Sequence, residues 1–140
     1  MDDYTFSTDP ARLQMDVIHP LLASSYWSTG IRRDIVEKSF KNSLCVSAFG
    51  SDGNQVGVAR LITDYATFAY LCDVIVDEPH RGRGVGKKMV AALLDTFAEP
   101  HIRNIALFTK DMQPLYRQFG FVETEEGRCM QLKRPPENWT

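Results

Sequence analysis

The chain has 140 residues, 44% hydrophobic and 24% charged, with a formal charge of -2 and three cysteines. That length suits one domain spanning residues 1–140, able to bury about 68% of its unfolded surface, and the balance excludes disordered and fibrous classes. A slightly acidic chain also lacks the broad positive face of a nucleic-acid binder.

Tyr4 to Thr8 alternates weakly as a short strand, and Asp9-Pro10 reads as a helix cap with proline in the first turn. Leu13, Val17, Leu21 and Leu22 follow at helical spacing, with Pro20 predicting a kink or restart. After the aromatic loop Tyr26-Trp27-Ser28-Thr29-Gly30, the residues Ile31, Ile35, Val36 and Phe40 mark a second amphipathic helix. The period then changes to two. Leu44 to Phe49 and Val56 to Ile62 read as antiparallel strands joined by the turn Ser51-Asp52-Gly53-Asn54. Ala66 to Val76 is long and nearly all apolar, as a central strand covered on both faces should be, and Pro79 prevents its continuation.

Val85, Met89, Val90, Leu93, Leu94 and Phe97 form one helical stripe closed by Pro100, and Ile102 to Thr109 is another strand. Asp111 is expected to cap a short helix with Leu115, Tyr116 and Phe119 facing inward and Gly120 at its left-handed end. Phe121 to Thr124 and Met130 to Lys133 read as closing strands. The order β-α-α-β-β-β-α-β-α-β-β predicts an α/β (α+β) class: a mixed, mostly antiparallel sheet of about six or seven strands with helices on both faces.

Cys45, Cys72 and Cys129 show no paired spacing and read as reduced core thiols. His19, His80 and His101 are scattered and are expected to be surface or packing residues, so no metal site is predicted. The start Met1-Asp2-Asp3 has no basic leader and no apolar run approaches membrane-spanning length, which points to a cytoplasmic protein without membrane contacts.

The run His80 to Lys88, HRGRGVGKK, stands between the central strand and the following helix. A helix start exposes unpaired N–H groups and the positive end of its dipole, and glycines let an anion come close, so Gly82, Gly84 and Gly86 describe a phosphate cradle. A nucleoside-triphosphate loop needs one more residue between the glycines and a hydroxyl where Lys88 stands. A dinucleotide fingerprint needs a third glycine where Lys87 stands. A nucleic-acid contact through Arg81, Arg83, Lys87 and Lys88 disagrees with the acidic total charge.

Arg81-x-x-Gly84-x-Gly86, with Val74-Ile75-Val76 before it and Leu115-Tyr116-Arg117-Gln118-Phe119-Gly120-Phe121 after it, resembles the GCN5-related N-acetyltransferase (GNAT) family. The motifs cover Val56 to Phe121, and the element order covers the rest. The resemblance implies a GNAT-like acyl-CoA N-acyltransferase fold and an acetyl-CoA site without metal. Its implied contacts are Val74, Ile75 and Val76 along the pantetheine, and Arg81, Gly82, Arg83, Gly84, Val85, Gly86 and Lys87 around the pyrophosphate.

Acetyl transfer to an amine needs a neutral amine, oxyanion stabilisation and a proton for the departing thiolate. Tyr116 occupies the family's usual general-acid position, and the N–H near Val74 would meet the oxyanion. Asp73, a charge in an apolar strand, is a candidate proton acceptor or cation anchor, or else a structural partner for Arg60. Tyr26, Trp27, Arg60, Asp64 and Tyr70 are candidate acceptor contacts; the two acids favour a cationic amine and Arg60 a carboxylate. The expected activity is acetyl transfer to the primary amine of a small molecule, amino-acid-like or polyamine-like, by direct attack in a ternary complex. The alternative is a catalytically silent CoA-binding regulatory module. A homodimer is common among relatives of this kind.

Overall fold

The computed structural model describes residues 3–140; Met1 and Asp2, on which part of the leaderless reading rests, lie outside the described residues. The alternating runs pair as one mixed sheet in the order β1-β2-β3-β4-β5, namely Thr5–Ser7, Leu44–Phe49, Gln55–Thr63, Phe68–Val76 and Asn104–Leu107. Neighbours are antiparallel except β5, which runs parallel to β4. Helices α1 (Met15–Ala23) and α2 (Arg33–Lys41) cover one face; α3 (Val85–Thr96) covers the other, and α4 (Gln113–Arg117) follows β5.

Each face has its own core. Ile18, Leu22, Val36 and Phe40 of α1 and α2 pack with Cys45, Val58 and Ile75. Val85, Met89, Val90 and Leu93 of α3 pack with Val46, Ala59, Leu61, Ala69 and Leu71. Ala69 and Leu71 thus face α3 while Ile75 faces α1, although all three are odd-numbered and a regular strand would show them on one side. An extra residue resolves this. Val58 pairs with Ile75 but Arg60 with Cys72, so β4 bulges at Asp73, whose φ is +54. A bulge bends its strand and re-aims the side chains beyond it. From Leu71, paired with Leu107, β4 also parts from β5, leaving residues 72–76 with β3 on one side only among the described residues.

Gly57 on β3 lies beneath α3. A Cβ there would sit 3.1 Å from both the Ile75 carbonyl oxygen and the Met89 methyl, so only glycine lets helix and sheet approach this closely.

Several expectations are corrected. Of the kink or restart expected at Pro20, there is no restart: α1 runs from Met15 to Ala23 with Pro20 inside it. Ala66 and Thr67 are outside β4, because Asp64 accepts their N–H groups at 2.9 and 2.8 Å and folds them into a turn. Asp111 does not cap α4; Met112 precedes the helix and its N–H donates to the Thr109 hydroxyl at 3.0 Å. The sheet has five strands among the described residues, not six or seven. Phe121 to Thr124 and Met130 to Lys133 are not strands, because no backbone ladder joins them to β5 or to each other. The thiols are free, but only Cys45 is buried; Cys72 is half-buried and Cys129 exposed. Among the described residues no helix is long and apolar enough to cross a membrane, and no group of His, Cys, Asp or Glu is arranged to hold a metal ion.

Candidate active site

Where β4 parts from β5, a cavity of about 630 Å³ opens between the β4 edge, the start of α3, the loop before it, the loop after α1, and α4. Its lining includes Val74, Ile75, Val76, Arg81, Gly82, Gly84, Val85 and Gly86 at one end and Tyr26, Trp27, Met112, Leu115 and Tyr116 at the other.

The first end is a main-chain device. Gly82 and Gly84 have φ of +77 and +79, values that L side chains rarely adopt. Gly84 stands at the cap of α3 with no side-chain bond to the first turn, and the first bond into that helix is Lys88 N–H to the Gly84 carbonyl at 3.0 Å. The amides of Gly82, Gly84, Val85, Gly86 and Lys87 therefore have no hydrogen-bond partner among the described residues. Unpaired amides at a helix start attract an anion. Gly86 has ordinary helical backbone; its missing side chain keeps the cavity open, since a Cβ would enter it 3.9 Å from the Val76 methyl. Arg81 donates Nε–H to the Val76 carbonyl at 2.8 Å, which fixes its guanidinium across the loop mouth. The residues present therefore fit a diphosphate-bearing group.

The second end is made of side chains. Tyr116 is buried, edge-on to Phe121 with ring centroids 5.9 Å apart. Burial, and secondarily Tyr26, hold its phenol above the ordinary tyrosine range, so at neutral pH it keeps its proton. Tyr26 and Trp27 meet edge-to-face at 5.0 Å, and the Lys110 ammonium stands 5.3 Å from the Tyr26 ring centre.

Asp73 is engaged through both oxygens. Oδ1 accepts from Trp27 Nε1 at 2.9 Å and Oδ2 from Arg60 Nε at 2.9 Å. The Arg60 and Asp73 side chains are only 14% and 9% exposed, and Arg60 also donates to the Ser43 hydroxyl at 3.2 Å. A buried carboxylate needs such partners, and here they tie the aromatic loop to the β4 bulge.

Of the remaining candidates, Arg60 is turned to this ion pair and does not line the cavity. Asp64 caps its own exposed turn, where the Thr67 hydroxyl and the N–H groups of Thr67 and Ala66 pull its carboxyl well below the usual range. Tyr70 packs on Phe108 at 5.7 Å, away from the lining. Arg83 and Lys87 side chains do not line it either. Residues missed from sequence are Ser24, Ser25, His80, Met112 and Leu115. His80 was available as the neighbour of Arg81; it lines the cavity, and its Nδ1 lies 2.8 Å from the Tyr4 hydroxyl.

A family model described as the acetyltransferase (GNAT) family matches residues 15–121. A candidate acetyltransferase from Gibberella zeae is 34% identical over 145 residues, covering 89% of this chain and 82% of that one. The crystal structure of a candidate GNAT acetyltransferase from Xanthomonas campestris superposes with a TM-score of 0.89 at 35% identity, over 100% of this chain and 99% of that one. A Clostridium acetobutylicum protein crystallised with acetyl-CoA shares the fold, with a TM-score of 0.66 at 18% identity over 95% and 96% of the two chains.

Proposed function

Since the chain belongs to the GNAT family and is an acetyltransferase of that kind, we propose that it moves acetyl from acetyl-CoA to the primary amine of a small molecule, by direct attack in a ternary complex. The observation that carries this reading is the single cavity joining an anion cradle to a buried, protonated phenol.

Acetyl-CoA, when bound, supplies an acetyl group activated as a thioester. The amides of Gly82, Gly84, Val85, Gly86 and Lys87, with Arg81 beside them, hold its diphosphate. The free edge of β4 at Val74 to Val76 offers main-chain hydrogen bonds to the extended arm, and the N–H near Val74 to the charge developing on the acyl oxygen. Tyr116 holds a proton for the departing thiolate. Asp73 is a positioning residue: it fixes Trp27, and with it the loop that borders the acceptor end.

The acceptor end is lined by the aromatic side chains of Tyr26, Trp27 and Tyr116, and no carboxylate lines the cavity among the described residues. Of the two acceptor classes expected, this favours an amino-acid-like amine with an apolar body over a polyamine, whose second cation would meet no carboxylate in that lining. Three free thiols suit the cytoplasm as working compartment. A second copy of the chain is the proposed protein partner, and nucleic acid is not, because the chain is slightly acidic overall.

Acetyl-CoA at 100 times its dissociation constant should add about 2.7 kcal/mol of stability, with no shift from ATP or NADH. CoA release is then followed across a panel of amines. Release above background with amino-acid-like acceptors supports the proposal. Binding with no release from any amine would turn the reading toward a silent regulatory module.

A further inference from the structure

One primary amine at the rim of the cavity belongs to the protein itself. Lys110 lies on the turn between β5 and α4, which is pinned where the Met112 N–H donates to the Thr109 hydroxyl at 3.0 Å. Two residues on, Met112 lines the cavity, and so do Leu115 and Tyr116 of α4. Lys110 is exposed and stands just outside that lining. Its ammonium is 5.3 Å from the ring centre of Tyr26, which is part of the lining, so the side chain reaches from the α4 side of the acceptor end to the loop after α1. Tyr26 is in turn near enough to Tyr116 to help hold its phenol above the ordinary range. The resting place of the amine is therefore beside the proton donor.

Little keeps it there. Lys110 makes no ion pair with Asp111 or with any other carboxylate among the described residues, and the Tyr26 ring is the one side-chain partner it has among them. A cation on a ring that is itself 65% exposed is weakly held, and a flexible four-carbon stem lets the nitrogen swing past Tyr26 into the cavity. The other lysines are placed differently. Lys87 and Lys88 stand on the first turn of α3 at the anion end, Lys38 and Lys41 on α2, and Lys133 in the irregular segment after α4.

Given the acetyl-transfer reading, on which this rests, we propose that Lys110 is a self-acetylation site: with acetyl-CoA bound and no amine in the acceptor end, its Nζ takes the acetyl group. The ammonium first gives one proton to solvent. The nitrogen lone pair then attacks the thioester carbonyl carbon, the C–N bond forms and the C–S bond breaks. Tyr116 gives its proton to the departing thiolate, and its phenolate takes the proton that the new amide nitrogen sheds. The product is a neutral amide, so the charge over Tyr26 is gone and the contact across the acceptor end is released.

The test incubates the full chain with acetyl-CoA and no added amine, and locates acetyl-lysine by peptide mass mapping. Lys110 should carry acetyl about 10-fold or more above any other lysine, because the fold delivers it to the thioester without an encounter step. The half-time should not change when the protein is diluted, and Tyr116→Phe should slow the reaction about 100-fold. A trace of acetic anhydride, which needs no site and is applied without acetyl-CoA, should label Lys110 no faster than Lys38 or Lys41. Acetyl spread evenly over the lysines, a Lys110 rate indifferent to Tyr116→Phe, or the same preference for Lys110 under anhydride would each overturn the proposal. So would a half-time that lengthens on dilution, since the acetyl would then arrive from a second molecule. CoA release with an added amine while Lys110 stays unmodified would sink self-acetylation alone. Neither CoA release nor acetyl-lysine under any condition would remove the acetyl-transfer reading with it.

Discussion

At the end of the cavity proposed to take an anion, the available groups belong to the main chain, five amides spread by two glycines in the left-handed region. At the acceptor end they are side chains, brought in by the loop after α1 and by α4. Backbone geometry at a helix start is set by local sequence and tolerates only replacements that keep φ. The side-chain end depends on contacts between residues far apart, such as Trp27 and Asp73. It should therefore fail through lost packing and pairing, whereas the anion end should fail through strain.

The largest effect expected from this contrast is at the ion pair beneath the acceptor end. Arg60→Met leaves the Asp73 carboxylate buried and short of a partner, and should cost about 3 kcal/mol or more in urea unfolding. The double variant Arg60→Met/Asp73→Asn should recover part of that loss. Next, Tyr116→Phe should lower CoA release about 100-fold, the usual scale for a general acid, with acetyl-CoA affinity nearly unchanged. Because burial raises the phenol above its ordinary range, wild-type turnover should lose this proton donor only above about pH 10. Gly84→Ala forces a side chain into a left-handed conformation and should cost about 1 kcal/mol or more in unfolding. It should also weaken acetyl-CoA binding while leaving the acceptor KM alone, the reverse of what Trp27→Ala should do.

The smallest effect concerns the thiols. Burial pushes Cys45 and Cys72 up to about 12 from an ordinary value near 9. The fold favours the protonated thiols, so the unfolded chain releases these protons first. Their contribution is complete below about pH 9 and lost as pH rises toward about 12. Denaturation midpoints should fall across that window, less so in Cys45→Ala/Cys72→Ala. Asp64→Asn, by contrast, should leave the acceptor KM unchanged, because that carboxylate serves only its own turn.

What could be read from sequence divides along the same line. Gly82, Gly84 and Gly86 announce the cradle, because a left-handed φ or a bare Cα restricts residue choice at a fixed spacing. Tyr116 was singled out through the family resemblance of its run to Gly120 and Phe121, and it lies in the cavity lining. The bulge was not: Cys72-Asp73-Val74 continues an apolar run, and nothing local says that Asp73 takes a φ of +54. An acid in such a run reads equally as catalyst or structural partner, and Asp64 reads as a substrate anchor until its turn is seen. Period two in residues 130–133 signals a strand but does not say which sheet it joins. The sheet here ends at β5.

Gly57 gives the anion end a remote dependence. Met89 rests on that bare Cα four residues after Val85, in the same helix whose opening amides form the cradle. The height of α3 above the sheet is therefore fixed by a hydrogen atom where every other residue type carries carbon. A single methyl at position 57 would act as a shim: the Met89 thioether and the Ile75 carbonyl must give by a few tenths of an ångström, and any part of that taken up by α3 reaches the amides at its mouth. The proposed grip on a diphosphate would thus be retuned from inside the protein, without altering any residue of the proposed cradle.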